Sequence, residues 1–201
     1  MTFFRDKTVI GLTGGIASGK STALQRFNYL GWSAISTDSI VAKVLQEDSS
    51  IKECIVQRWG GRMVRKCGSI DKMQVGEIVF GSNHERIWLE SLIHPIVRSH
   101  WISYAQSCSN DKCVVEIPLL FENNLQNNFH CTLSMFSSNQ TVLERLLKRG
   151  LTQKQSEARI SSQLPSLTKA SMADFVLWGS GSEEFLNLQV DAMSSLLQTL
   201  D

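Results

Sequence analysis

A chain of 201 residues, 42% of them apolar, is long enough for one α/β domain with a modest insertion and can bury a full core. Its formal charge of +1 leaves no surplus to attract a polyanion, which argues against nucleic acid as the main partner. Five cysteines, an odd count without a C-x-x-C pair, argue against a disulfide framework or a zinc site and for reduced, mostly buried thiols. Arg5, Asp6 and Lys7 precede only a few apolar residues, so no secretory signal is expected, and nothing approaches the ~20 apolar residues of a membrane span. A cytoplasmic chain, free of membrane, is the expectation.

The first predicted element is a buried strand, Thr8-Val-Ile-Gly-Leu-Thr13, short, apolar and β-branched. Gly14-Gly-Ile-Ala-Ser-Gly19-Lys20-Ser21-Thr22 follows and fits G-x-x-x-x-G-K-[ST]. Ala23, Phe27 and Leu30 then recur at helical spacing, with Gly31 as a stop. Strand, glycine loop and helix N-terminus form the context that gives a P-loop physical meaning. Backbone N–H groups of Gly14, Gly15, Ala17, Ser18 and Gly19 can face phosphate oxygens, and the helix end adds partial positive charge. Lys20 can reach the β- and γ-phosphates, the Ser21 hydroxyl is the candidate Mg²⁺ ligand, and Thr22 is counted with the ATP-binding residues. The motif predicts a bound nucleoside triphosphate.

Residues 32–36 predict a second strand, and Asp38 is expected to cap a helix carrying Ile40, Val41, Val44 and Leu45. Residues 49–66 read as helical up to Gly60-Gly61, and the turn Gly68-Ser-Ile-Asp71 leads into another helix. A helix over 85–92 is expected to reach His94-Pro95, with a further one running to about Cys108. Strands follow at 113–117, ended by Pro118, and at 130–136. Val142, Leu143, Leu146 and Leu147 mark an amphipathic helix closed by Gly150; Thr152 and Gln155 have capping-box form and start a helix ending near Pro165. A last strand covers 173–178, and a C-terminal helix starts at Ser182.

Strands alternating with helices predict a parallel sheet flanked by helices. The strand-free stretch 39–111 predicts a helical insertion that binds a second substrate, and 139–170 a helical lid. That leaves a core of about 8–38, 112–137 and 172–201.

Asp38 directly follows the second strand. In an open parallel sheet, ligands collect beyond the carboxyl ends of strands, so Lys20 and Asp38 are expected to face one crevice. A carboxylate there can accept the proton of an acceptor hydroxyl and align it for attack; the alternative is an N-cap, and the two roles are compatible. Arg145 and Arg149 lie one turn apart with no acid at i±3 or i±4. A triphosphate would relieve their repulsion and favour arginine, and Arg159 on the next helix could join them; the alternative is a solvated basic face. Glu116, near the end of its strand, is either a Walker-B-type acid or half of a structural ion pair. His94 is either a packing residue or a substrate contact, and the remaining histidines have no metal-binding spacing.

The chain has no N-K-x-D string for guanine, no D-x-x-G after a strand and no L-S-G-G-Q-like signature, which argues against a GTPase or a transport ATPase. A P-loop, an acceptor-side Asp and lid arginines fit a small-molecule kinase.

Ile10-Gly-Leu-Thr-Gly-Gly-Ile-Ala-Ser-Gly-Lys-Ser-Thr22, Thr37-Asp-Ser-Ile-Val41, Gly76-Glu-Ile-Val-Phe80, Leu92-Ile-His-Pro-Ile-Val-Arg98, Pro118-Leu-Leu-Phe-Glu122, Arg145-Leu-Leu-Lys-Arg149 and Ala158-Arg-Ile-Ser-Ser-Gln163 together resemble the dephospho-CoA kinase family over nearly the whole chain. The resemblance implies a P-loop nucleoside-triphosphate hydrolase fold and transfer of the ATP γ-phosphate to the ribose 3′-hydroxyl of dephospho-CoA. Mg²⁺ is the implied cofactor, ATP and dephospho-CoA the partners, and a monomer or small homo-oligomer the expected state. By position it makes Asp38 the acceptor-side acid, Lys20, Ser21 and Arg149 the phosphate, metal and lid residues, and places His94 and Pro95 near the acceptor. Another P-loop nucleotide or nucleoside kinase is the alternative, and a P-loop binding module without phosphoryl transfer a third reading. The chain departs from the family pattern at Ser36 (usually Asp), Ala42, Lys72 and Trp178-Gly179-Ser180 (usually D-N-[SN]), the last near the family's adenine pocket.

Overall fold

The computed structural model describes Phe4 and residues 7–198. Arg5, Asp6 and the end of the expected C-terminal helix lie outside these. Among the described residues no helix is long and apolar enough to cross a membrane. The chain divides into two compact units, one of residues 1–36 and 105–201, the other of Thr37–Tyr104.

The first unit is built on β1 (Thr8–Gly14), β2 (Ser33–Ser36), β3 (Lys112–Glu116), β4 (Cys131–Phe136) and β5 (Phe175–Trp178). All pair in parallel in the order β2-β3-β1-β4-β5. Parallel strands need long crossovers, which cover both faces, so the central strands are buried on both sides, polar residues such as Thr13, Thr132 and Ser134 included. β1 is buried at every position after Thr8. Even Gly11 is crowded: a Cβ there would lie 2.7 Å from Leu120 Cδ1 and 2.8 Å from Phe129 Cδ2. Strand order reverses at β1, so the crevice beyond its carboxyl end is the switch point where such sheets bind ligands.

Helices α1 (Lys20–Tyr29) and α9 (Glu183–Gln198) pack together on the sheet, where Ile10, Leu12, Phe27, Trp32, Leu133 and Val190 form a common core. Two polar ties hold α9, one from α1 and one from the turn that follows it. Arg26 grips Asp191 with two 2.7 Å hydrogen bonds, and buried Trp32 donates its Nε1–H to Ser194 Oγ at 2.8 Å. Beyond β5, the edge strand, Gln189 on α9 receives the Trp178 N–H at 2.8 Å and donates to the Trp178 carbonyl at 2.9 Å. That amide closes part of an otherwise open edge.

The remaining helices of this unit are α6 (Asn139–Lys148), α7 (Gln153–Ser161) and α8 (Ser166–Met172). The capping box at Thr152 and Gln155 is present in full. The helix it starts stops at Ser161, and α8 is an additional short helix entered through Pro165, whose missing N–H costs nothing at a helix start.

The second unit holds α2 (Thr37–Glu47), α3 (Ser49–Trp59), a 3₁₀ turn at Gly61–Met63, α4 (Lys72–Gly81) and most of α5 (Asn83–Ser107). Asp48 caps α3 through the Ile51 N–H (3.0 Å), and Asp71 caps α4 through those of Met73 (3.1 Å) and Gln74 (3.4 Å). Two expectations are corrected here. α2 begins at Thr37, so Asp38 lies within its first turn, where a carboxylate suits the helix dipole, and is not the residue ahead of it. The helix does not end at His94-Pro95: α5 runs through Pro95 for 25 residues. Proline removes the backbone donor that would pair with the Ser91 carbonyl, and both Ser91 and Pro95 are exposed to solvent.

The cysteines are all free, but only Cys113 is buried; Cys54, Cys108 and Cys131 are half-buried and Cys67 is exposed. The thiols are therefore less sequestered than the sequence led us to expect.

Candidate active site

The P-loop spans the end of β1 and the start of α1. Gly14 and Gly19 take positive φ (139° and 102°), which glycine adopts without penalty. Gly19 is the N-cap of α1, so the first free N–H groups of that helix open into the loop. Ala17 also takes a left-handed φ of 56°, a conformation that costs an L-residue of the order of 1–2 kcal/mol. The surroundings hold it there: Ala17 is buried with Val142 and Leu146 of α6, and its carbonyl accepts a 2.9 Å hydrogen bond from Arg145 Nη1.

Lys20 is only 8% exposed, which is rare for lysine. Its ammonium donates to the carbonyls of Gly15 (2.8 Å) and Gly14 (3.2 Å), so the charge is held inside the loop. Ser21, next along, is exposed and makes no side-chain hydrogen bond among the described residues; Thr22 is half-buried. Ser18 is buried, and its carbonyl accepts from Ser137 Oγ at 3.1 Å.

The two lid arginines are used differently. Arg145, expected from the sequence to face phosphate, turns two N–H groups to backbone carbonyls, Ala17 at 2.9 Å and Gly179 at 2.6 Å. The Ala17 bond braces the P-loop against α6. Arg149, at the C-cap of α6, is exposed, and its guanidinium has no partner among the described residues. Arg159 on α7 is exposed too.

Gly179 is a residue whose importance the sequence did not disclose. A Cβ at this position would collide with the Ser18 carbonyl. Its N–H donates to the Phe136 carbonyl at 2.7 Å, and Ser180 Oγ receives the Ser138 N–H at 2.8 Å. The segment Trp178–Ser180 is thus clamped directly against the P-loop. Trp178 keeps 44% of its surface exposed, with its ring 5.2 Å from that of Phe136.

Glu116 is buried (5% exposed) at the carboxyl end of β3, in register with Leu12 of β1 and Ser36 of β2. Lys169 was not singled out by the sequence. Its side chain is fully buried, paired with Glu122 at 2.8 Å and donating to the Pro118 carbonyl at 2.6 Å. The Pro118-Leu-Leu-Phe-Glu122 segment carried a signal; Lys169 lies in an ordinary polar stretch and carried none.

Asp38, His94 and Pro95 belong to the second unit, and all three are exposed. Asp38 has no side-chain hydrogen bond or ion pair among the described residues. No group of three His, Cys, Asp or Glu residues among the described residues is placed to hold a metal ion.

A sequence model of the family described as dephospho-CoA kinase matches residues 8–184. The dephospho-CoA kinase of Trichormus variabilis is 38% identical over 188 residues, covering 91% of this chain and 94% of its own. A crystal structure from Thermus thermophilus superposes with a TM-score of 0.80 at 28% identity, covering 98% of this chain and all of the other. The dephospho-CoA kinase from Campylobacter jejuni gives a TM-score of 0.72 at 29% identity over 95% of this chain and 97% of its own. With P-loop, sheet order and near full-length similarity in agreement, this chain belongs to the dephospho-CoA kinase family.

Proposed function

We propose that the chain transfers the γ-phosphoryl group of ATP to the ribose 3′-hydroxyl of dephospho-CoA, giving coenzyme A and ADP. The observation that carries this reading is the preformed P-loop, with Lys20 already drawn inside it, in a chain of this family. Phosphoryl transfer needs little covalent chemistry from a protein; it needs positioning and charge. Backbone N–H groups of Gly14, Gly15, Ala17, Ser18 and Gly19 cradle the phosphates, and Lys20 exchanges loop carbonyls for the β- and γ-phosphate oxygens. Thr22 supports the mouth.

The residues present fit Mg²⁺: a free hydroxyl at Ser21 is a hard oxygen donor, and this ion keeps most of its waters while taking one or two protein oxygens beside phosphate. Ser21 would hold it, and when bound it neutralises charge on the β- and γ-oxygens. Asp38 accepts the proton of the 3′-hydroxyl, the oxygen attacks the γ-phosphorus, and the bond to the β–γ bridging oxygen breaks as ADP leaves. Arg149 reaches the developing charge, while Arg145 acts on the nucleotide through the loop it braces. The lid is the segment of about 139–170, and the insertion of about 39–111 carries the acceptor site with His94 and Pro95. The remaining core is about 8–38, 112–137 and 172–201. We further propose a cytoplasmic monomer or small homo-oligomer that uses neither nucleic acid nor membrane.

A coupled ADP assay tests this. Purified protein with Mg-ATP should release ADP only when dephospho-CoA is added. Equal release with a panel of nucleoside monophosphates would instead make it a nucleotide kinase, and release with no acceptor would make it an ATPase.

A further inference from the structure

We propose that Lys169 and Glu122 are positioning residues for the phosphoryl transfer: an ion pair made by a fully buried lysine that locks α8 behind the P-loop and so sets the Gly15 carbonyl that holds Lys20. The proposal rests on the kinase reading above. Its observations all lie in the first unit.

Lys169, in the middle of α8, has no exposed side-chain surface. Its ammonium makes a 2.8 Å ion pair with Glu122 Oε1 and a 2.6 Å hydrogen bond to the Pro118 carbonyl. That same carbonyl accepts from Thr13 Oγ1, on β1 immediately before the P-loop, at 3.2 Å. Glu122 Oε1 also accepts the Leu164 N–H at 3.0 Å, on the segment that returns from α7. One cation thus joins α8, the turn after β3 and, through a shared carbonyl, the strand that carries the loop.

The first residue of α8 makes the contact that matters. Ser166 lies so close to Gly15 that a Cβ on the glycine would collide with its Oγ. Gly15 in turn offers its carbonyl to Lys20 at 2.8 Å and to the Ser18 N–H at 3.3 Å. A shift of α8 therefore moves the wall against which the catalytic lysine is set, and small displacements of such groups are costly in rate. A helix of seven residues has little stability of its own, so its position depends on tertiary ties. An ion pair is an expensive tie for stability alone, because well-packed apolar residues often replace a buried pair without loss.

That last point supplies the test. Lys169→Met should lower Tm and activity together, because it leaves the half-buried Glu122 carboxylate without its cation. The double variant Lys169→Met/Glu122→Leu removes both charges and should recover most of the Tm. We expect its kcat/KM for ATP, with dephospho-CoA as acceptor, to remain at least tenfold below the wild type, and the Tm rise induced by Mg-ATP to stay diminished. Recovery of Tm together with kcat/KM within twofold of the wild type would make the pair merely structural. Ser166→Val tests the same geometry without touching the pair. It should keep its Tm yet lose at least tenfold in kcat/KM and part of the Mg-ATP shift; wild-type values on both would overturn the proposal. The nucleotide shift needs no acceptor, so it still decides the matter if dephospho-CoA is not the substrate, an error the wild-type control would reveal separately.

Discussion

The two units of this chain use charge differently. In the sheet unit, Lys20 and Arg145 are buried or half-buried and direct their hydrogen bonds to backbone carbonyls, Gly14 and Gly15 for the one and Ala17 with Gly179 for the other, and fully buried Lys169 adds the Pro118 carbonyl to its pair with Glu122. In the helical unit, charges stay near the surface and pair with one another. Arg58 holds Glu85 at 2.6 Å, Arg65 holds Asp71 at 3.2 Å, and Arg86 and Glu90 lie 4.0 Å apart. Exposed pairs contribute about 0–1 kcal/mol each, whereas a buried cation is costly unless geometry satisfies it. The difference teaches where shape is being fixed. Cations bonded to carbonyls brace the path of the P-loop backbone; side chains bonded to side chains tie one helix to another, as Arg58 of α3 does with Glu85 of α5.

Asp38 stands apart from the pairs of its unit, and the largest effect should come from it. Asp38→Asn keeps the shape and removes the proton acceptor, so kcat should fall by about 10²–10⁴ while Tm stays nearly constant. An unchanged kcat would assign the base elsewhere.

Arg145 and Arg149 sharpen the contrast within one helix. Arg145→Ala deletes two bonds from a charged donor to carbonyls and should cost about 1.5–3 kcal/mol of stability, read by urea unfolding. Arg149→Ala removes no side-chain hydrogen bond or ion pair among the described residues, so its stability should stay within about 0.5 kcal/mol while kcat falls more than ATP affinity. Equal stability losses would erase the distinction drawn here between brace and lid residue.

In the helical unit the effects should be smaller and set by pH. Hydrogen bonds from Arg58, then from Trp59, hold the Glu85 carboxyl down to about 2 from an ordinary 4.5. A depressed value means that its contribution is fully present above about 4.5 and is lost as pH falls toward 2. Glu85→Gln should therefore lower stability near neutrality and flatten the acid limb of the unfolding midpoint between those pH values. Smallest of all, Lys43 and Glu47 are exposed and 3.9 Å apart, so Lys43→Ala should change stability by less than about 0.5 kcal/mol.

Much of the sheet unit was legible in the sequence because its signals are local. The apolar β-branched run at 8–13 can only be a buried strand, and G-x-x-x-x-G-K-S dictates its own backbone. Thr152 and Gln155 announce their helix start in the same way. What escaped notice depends on contacts between distant segments. Arg145 has no acid at i±3 or i±4, which points to a phosphate ligand, but carbonyls 128 and 34 residues away take that place. Gly179 looked like one residue of a divergent loop until its approach to Ser18 was visible. Lys169 in Leu167-Thr-Lys-Ala170 has the look of a surface lysine, and only the fold brings Glu122 to it. The local rule makes Pro95 a helix boundary, yet the long α5 accommodates it at an exposed position.

The central claim is the acceptor and the atom that receives the phosphate. The direct measurement is a ³¹P NMR spectrum of dephospho-CoA after incubation with the protein and Mg-ATP. The account predicts one new phosphomonoester resonance coupled to the ribose 3′-proton, in equal amount to the ADP formed. Dephospho-CoA left unchanged while ATP is consumed, or a phosphate on any other oxygen, would contradict it.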